Sequence, residues 1–435
     1  QESRGLGDVY KRQIFNSDTG ITTTRQGVFE LPISTPERAF MECLHLAPQY
    51  YDITDLYYVM EMLSILPPKN VQRLLEECRS VKVKRLFLFM AEKARHAWFE
   101  ALDLDKVDLG SGKRVIAKGG VYDKKYQITI PAELKNQEYK ERVRLLLRII
   151  PIISTEECFA VHGGTAINLF VQNLPRYSVD IDLTYIPVEP RGASLAHIKE
   201  RLKEIKAKIE ATIPGIAVRE VPNKLICTHN GHFVKVEVND VKRGIIAPPI
   251  ELPLCDLAQE DFGVFCKARI VPLSQLYGGK ITAALDRQHP RDLFDVSLML
   301  DYIKDFDQIK RGFIFCLLGS DRPILESLNP NFNDQRDALT NQFEGMSSTP
   351  FTYEQYEATR HRLVEYINDH LTPTDKAFLL GFEDGTPDWD ASEYRDFQHY
   401  PSVQWKLFNI QKLKFRNQKK HEDGLRKLKT FFFGS

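Results

Sequence analysis

Hydrophobic positions change rhythm along the chain, and each change predicts a different kind of element. From residue 36 to about 100 they recur at helical spacing, through ERAFMECLHLA, DITDLYYVMEML, KNVQRLLEECRS and KRLFLFMAEKARHAWFEAL. In the last of these, Leu86, Met90, Ala94 and Ala97 mark one helical stripe. Ser34-Thr35-Pro36-Glu37 is the expected start of the first helix, with a hydroxyl cap, a proline in the first turn and an acid at the positive end. GVFELPIS before it reads as a strand, and RVIAKGGVYDKKYQITI after the helices reads as two short strands around a Tyr-Asp-Lys-Lys turn. Pro131 closes this block. A new pattern opens with the amphipathic stretch YKERVRLLLRIIPII, expected to end near Pro151, and then alternates strand, turn and helix to about residue 255. From 273 onward helical periodicity dominates, with loops expected near 319–334, 345–352 and 381–392.

These shifts divide the chain into an α/β block at 14–131, a core with a small mixed sheet at 132–255 and a helical region at 256–435, an α/β (α+β) protein as a whole. The stretch QESRGLGDVYKRQ, residues 1–13, matches no folded element. DVYKRQ resembles a translated library-adapter sequence, which would leave the natural start outside this chain, so the stretch is set aside.

Chemistry concentrates in FAVHGGTAINLFVQNLPRYSVDIDL, residues 159–183. An apolar strand runs into Gly163-Gly164, and Thr165 is placed to cap the helix that follows. A helix start offers free N–H groups and positive potential to an anion. The next strand carries Asp180 and Asp182, two positions apart and therefore on one face. Neighbouring carboxylates on a half-buried strand are costly unless a cation neutralises them, and such oxygen ligands suit Mg²⁺ held together with substrate phosphates. The glycine turn is thus expected to take phosphate and the aspartates the metal.

Further on, NKLICTHNGHFVKVEVND predicts a hairpin with Asn230-Gly231 at its tip. Its return strand alternates Lys235, Glu237 and Asn239 with Val234, Val236 and Val238, and offers Glu237 as a third metal-binding carboxylate. Three such acids can hold two ions around a nucleotide α-phosphate. Lys280 lies inside a helix about two turns before Arg287, in reach of triphosphate charge. Pro290 starts another helix with Asp292 and Asp295 at i, i+3. Asp292 can orient Lys280 or Arg287, or act as a base. Asp295 can pair locally, and His162 reads as a packed residue more readily than as a ligand.

Composition alters this picture mainly by exclusion. Lys+Arg and Asp+Glu are both 59 in 435 residues, so any nucleic-acid surface requires local segregation of charge. Candidates are KVKR at 82–85, EKARH at 92–96, and Arg176, Lys224, Lys242 and Arg243 near the carboxylates. The seven cysteines form no CxxC pair, which disfavours a zinc site or disulfide framework and fits a reducing cytoplasm. No apolar run approaches the ~18 residues a membrane span needs.

With these residues in place, HGGTAINLF…PRYSVDIDL, KVEVN, LYGGK and HPRDLFD resemble the AbiEii/AbiGii toxin family of the DNA-polymerase-β-like nucleotidyltransferases, from about residue 138 to at least 303. The resemblance implies a metal-dependent toxin of a type IV, abortive-infection system. Such an enzyme transfers an NMP from an NTP, with Mg²⁺ or Mn²⁺, to an RNA acceptor, tRNA 3′ ends being the target class of relatives. On that resemblance Gly164 and Thr165 stand in the phosphate turn beside Gly163. Asp180 and Asp182 stand as metal ligands, Lys280 and Asp292 in the downstream catalytic motifs, and Glu237 at a third acidic position where aspartate is usual. GVFELPISTPERAFMECL and YDKKYQITIP resemble the C-terminal domain of the AbiEi antitoxin, which implies an antitoxin partner acting in cis or in trans. Two other functions stay open on sequence: a non-catalytic NTP-binding or antitoxin-type regulator, and an enzyme that nucleotidylates protein.

Overall fold

The computed structural model describes residues 14–15, 18–26, 29–117, 120–303, 305–347 and 349–434. The adapter-like stretch 1–13 lies outside the described residues. The chain divides into two compact units, Gln1–Gln137 and Glu138–Ser435.

In the first unit, β1 (Ile21–Gln26) and β2 (Phe29–Ser34) form an antiparallel pair. Helices α1 (Pro36–Leu46), α2 (Ile53–Met62), α3 (Pro68–Glu77) and α4 (Val81–Ala94) follow. A three-stranded sheet, ordered β3-β5-β4, is built from β3 (Arg114–Val115), β4 (Val121–Asp123) and β5 (Ile128–Ile130). Its core gathers Met41, Leu44, Leu74, Leu86, Phe87 and Met90. Two expectations are corrected here. Thr35 precedes α1 but makes no side-chain cap bond. The stripe drawn through Ala97 breaks earlier, because Arg95 turns left-handed and ends α4. KVKR, a candidate nucleic-acid surface, has Lys84 and Arg85 buried. Arg85 is 2% exposed and donates to the carbonyls of Leu109, Gly110 and Gly112, and Lys82 donates to the His45 carbonyl. A buried guanidinium is tolerable only with its donors satisfied in this way.

In the second unit, a seven-stranded mixed sheet is ordered β11-β12-β6-β7-β10-β9-β8. Its strands are β6 (Phe159–His162), β7 (Asp180–Tyr185), β8 (Ala217–Val221), β9 (Lys224–His229), β10 (His232–Val238), β11 (Ile250–Pro253) and β12 (Lys267–Ile270). Helices α5 (Ala132–Ile153, in this unit from Glu138 onward), α6 (Gly163–Ala166, continued by a π-helical turn at Ile167–Val171), α7 (Arg191–Thr212) and α8 (Asp256–Phe262) accompany the sheet. Val143, Leu146 and Ile149 of α5 and Ile198, Leu202 and Ile205 of α7 share one apolar core with Ile181, Leu183, Val234 and Val236. The alternation of β7 and β10 therefore leaves Asp180, Asp182, Lys235 and Glu237 on the opposite face. Asn230 and Gly231 both have positive φ, the turn that a two-residue hairpin requires.

The core expected at 132–255 and the helical region expected at 256–435 are continuous. β11 and β12 straddle their junction and belong to one sheet, and residues 138–435 form one unit. Helices α9 (Leu273–Arg287), α10 (Pro290–Tyr302), α11 (Asp307–Leu318), α12 (Ile324–Leu328), α13 (Arg336–Gln342), α14 (Tyr353–His370), α15 (Pro373–Glu383), α16 (Pro401–Arg416) and α17 (Gln418–Phe433) complete it. α9 and α11 cross with their backbones nearly touching. A Cβ on Gly278 would lie 2.3 Å from the Gly312 carbonyl carbon, and one on Gly312 would lie 2.0 Å from the Ser274 carbonyl oxygen. The first glycine of LYGGK is therefore a packing device that sets where Lys280, half a turn on, stands.

Candidate active site

A cleft of about 440 Å³ in the second unit collects most of the residues singled out by sequence. That size lies within the ~300–1,000 Å³ of small-molecule sites. Gly163, Gly164, Asp180, Asp182, Glu237, Lys280, Arg287 and Asp292 all line it, drawn from β6–α6, β7, β10, α9 and α10. Thr165 does not. It is fully buried, and its hydroxyl bonds Ser178 Oγ at 3.0 Å and the Asp180 carbonyl. The expected cap is corrected accordingly. α6 begins at Gly163, His162 precedes it, and Thr165 ties the helix to β7 from behind.

Strand register sets the sheet wall. His162 pairs with Asp182 across β6–β7, while Glu237 pairs with Asp182 and Lys235 with Asp180 across β7–β10. Gly163 has φ +72°, and a Cβ there would meet Asp182 Oδ2 at 2.6 Å. Glycine is thus required twice, by conformation and by the aspartate beside it. Asp180 meets Arg142 at 3.7 Å, and Asp182 makes no ion pair among the described residues. His162 bonds Thr184 Oγ1 at 3.1 Å through Nδ1. Burial pushes its pKa down, Lys242 and Lys280 push the same way, and Asp182 only partly opposes them.

Glu237, expected as a third metal ligand, is ion-paired within the sheet. Its two oxygens are held by Lys224 at 2.7 Å and Lys235 at 2.8 Å. Burial alone would raise its pKa, but the two lysines hold it below the usual range. Among the described residues no group of three His, Cys, Asp or Glu side chains converges as a metal cage. The donor set that fits a hard cation is the pair Asp180 and Asp182, whose oxygens are not committed to close ion pairs.

The helical wall is a closed ionic network. Lys280 Nζ lies 2.9 Å from Asp292 Oδ1 and 2.9 Å from Asp295 Oδ2. Arg287 Nε donates to Asp292 Oδ2 at 2.6 Å. Arg176 grips Asp295 with both prongs, at 2.7 and 2.6 Å. Asn168 donates to Asp295 at 3.1 Å and to the Gly164 carbonyl at 2.9 Å, linking the glycine turn to α10. Burial opposes ionisation of Asp292 and Asp295, yet the adjoining cations hold both carboxyls well below the usual range. Lys280 is likewise held up by its two aspartates against its burial. Asp292 thus sits between two cations, Lys280 and Arg287.

Sequence reasoning missed Asn168 and misread Arg176. The latter was a candidate RNA contact but is 3% exposed and committed to Asp295, 119 positions away. Lys224 is taken by Glu237, and Arg243 is buried outside the cleft lining, whereas Lys242 lines it. No periodicity marks a lone polar residue for such partners.

Comparison with known proteins meets this geometry. The model of the family described as nucleotidyl transferase AbiEii toxin, type IV TA system, matches residues 144–408. That of the transcriptional regulator AbiEi antitoxin, type IV TA system, matches residues 8–131. No curated protein matches the chain. Among solved structures, the chain is similar to MenT4, a nucleotidyltransferase toxin from Mycobacterium tuberculosis H37Rv, at 15% identity over 65% of this chain and 99% of that one, with a TM-score of 0.45. An antitoxin-type domain thus precedes a transferase domain, and the chain belongs to the AbiEii nucleotidyltransferase toxin family of type IV toxin–antitoxin systems.

Proposed function

We propose that this nucleotidyltransferase moves an NMP from an NTP to an RNA acceptor, tRNA, in a reaction dependent on Mg²⁺ or Mn²⁺. The observation that carries this reading is one cleft lined on one wall by Asp180 and Asp182 and on the other by Lys280 and Arg287. Two oxygen-rich ligands facing two cations suit a metal-bound polyphosphate. Asp180 and Asp182 would hold the ion, which when bound supplies positive charge against the phosphate oxygens.

The other groups act through the chain itself. Gly163 and Gly164 let a phosphate approach the backbone without side-chain obstruction. Lys280 and Arg287 meet triphosphate charge, and Asp292 positions both. Glu237 positions Lys224 and Lys235 at the cleft edge. Preorganised cations need no rearrangement as charge develops on the leaving pyrophosphate. The antitoxin-type domain regulates the transferase, in cis or in trans, in the cytoplasm.

The test incubates the full chain with each α-³²P-labelled NTP, Mg²⁺ and total bacterial tRNA, beside the Asp180→Ala protein. A labelled RNA band lost in the variant is the expected result. Label on protein instead would replace RNA with a protein acceptor. Absence of label with every NTP would overturn the reading.

A further inference from the structure

A chain with equal numbers of acids and bases can present a basic surface only by segregating charge, and the last two helices do so. Residues 401–435 hold nine lysines and arginines against two acids, Glu422 and Asp423. Lys412, Arg416 and Lys419 form no ion pair among the described residues.

The same surface carries aromatic rings in water. Trp405 is 50% exposed, Phe408 53% and Phe415 92%. With Lys412 they occupy an arc of about 80° on α16, at 3.6 residues per turn. The Trp405 and Phe408 rings lie 6.1 Å apart at 26°, nearly parallel, and Lys412 Nζ sits 5.9 Å from the Phe408 centroid.

This row starts at the cleft. Ser402, one turn before Trp405, lines it beside Gly319 and Phe315. Lys406 fixes the helix in place, because its buried ammonium donates to the carbonyls of Leu317 at 3.0 Å and Arg322 at 2.7 Å.

We infer that the exposed face of α16 is a single-strand RNA platform that leads the acceptor into the cleft, an inference that rests on the RNA-acceptor reading. Parallel aromatic faces accept stacked bases of any sequence, and interleaved cations follow the phosphates. A protein partner would gain from the apolar rings but would leave this charge unmatched, whereas a polyanion uses both. From Trp405 to Phe415 the helix rises about 15 Å, the length of about four stacked nucleotides.

The test measures binding of the full chain to total tRNA and to a short single-stranded RNA, beside transfer of labelled NMP. Trp405→Ala/Phe408→Ala is expected to weaken RNA binding by about 30-fold or more, and Trp405→Phe to retain most of it. Lys412→Glu/Arg416→Glu is expected to lower the slope of log affinity against log salt by about 1.4. Binding of a fluorescent NTP and the melting temperature stay at wild-type values in all three. RNA affinity and salt slope unchanged in both double variants would overturn the platform, including the case where they alter only self-association. The underlying reading fails differently: there the wild-type chain itself neither binds nor labels RNA.

Discussion

Asp180 and Asp182 stand on β7 with their carboxylates partly open to the cleft, whereas on α10 Asp292, which also lines it, and Asp295 behind it are almost completely buried. Among the described residues the first pair has one loose ion pair, Asp180 with Arg142 at 3.7 Å. The second is saturated by Lys280, Arg287, Arg176 and Asn168. Chemically identical side chains are thus placed in opposite states by depth. A buried carboxylate persists only with its charge answered inside the protein. A half-exposed one can leave its oxygens for a ligand. One wall of the cleft is built to receive a cation, and the other is built to hold its own cations still.

That contrast can be broken at either wall. Asp182→Ala should lower nucleotide transfer by about 10³-fold or more and leave the melting temperature near wild type, since its oxygens carry no internal ion pair. Transfer kinetics and calorimetry on one preparation check both halves, and preserved transfer would end the assignment. Asp295→Ala should act in the opposite sense, removing about 3–5 kcal/mol of stability by stranding Arg176 and leaving Lys280 with Asp292 alone. A urea melt checks it, and a stable, soluble variant would contradict the network as drawn.

Gly163→Ala sharpens the boundary between the walls. Its φ of +72° and the 2.6 Å approach to Asp182 predict a loss of about 1–3 kcal/mol, together with displacement of that carboxylate and reduced transfer. An unchanged rate would separate Asp182 from the chemistry.

Acid offers a subtler probe. The folded carboxyl of Asp292 titrates well below its unfolded value of ~3.9, so its stabilisation is present above that value and is lost as pH falls through and below it. Asp292→Asn should therefore flatten the fall in melting temperature below about pH 5. A slope equal to wild type would show that this pair does not govern acid lability. Smallest of all, Lys224→Ala breaks a partly exposed pair with Glu237 and should cost under about 1 kcal/mol. A chemical melt that showed more would place Glu237 deeper in the network than its exposure indicates.

Much of the sheet wall was legible because each inference needed only a few residues. Alternation placed Asp180 with Asp182 and Lys235 with Glu237, and Asn-Gly placed the hairpin. The helical wall was legible only as a list of candidates. Lys280, Arg287 and Asp292 were named, but that both cations pair with Asp292 shows only in the folded chain. Arg176 was misread because a charged residue in a loop gives no local sign of the buried aspartate it will meet. The Asn230-Gly231 tip sets a register that puts Lys224 opposite Glu237, but the ion pair between them is seen only once the side chains are placed.

Sequence by itself determined the elements, the faces of the strands, the glycine turn and the paired aspartates. All follow from backbone geometry and side-chain period over spans shorter than about ten residues. Tertiary structure alone decided which charges would be neutralised. Asn168 and Arg176 each lie more than a hundred positions from their partner Asp295, and only the tertiary fold brings them to hydrogen-bond distance. Burial then fixes their charge states, because a low-dielectric interior stabilises an ion only beside its counterion.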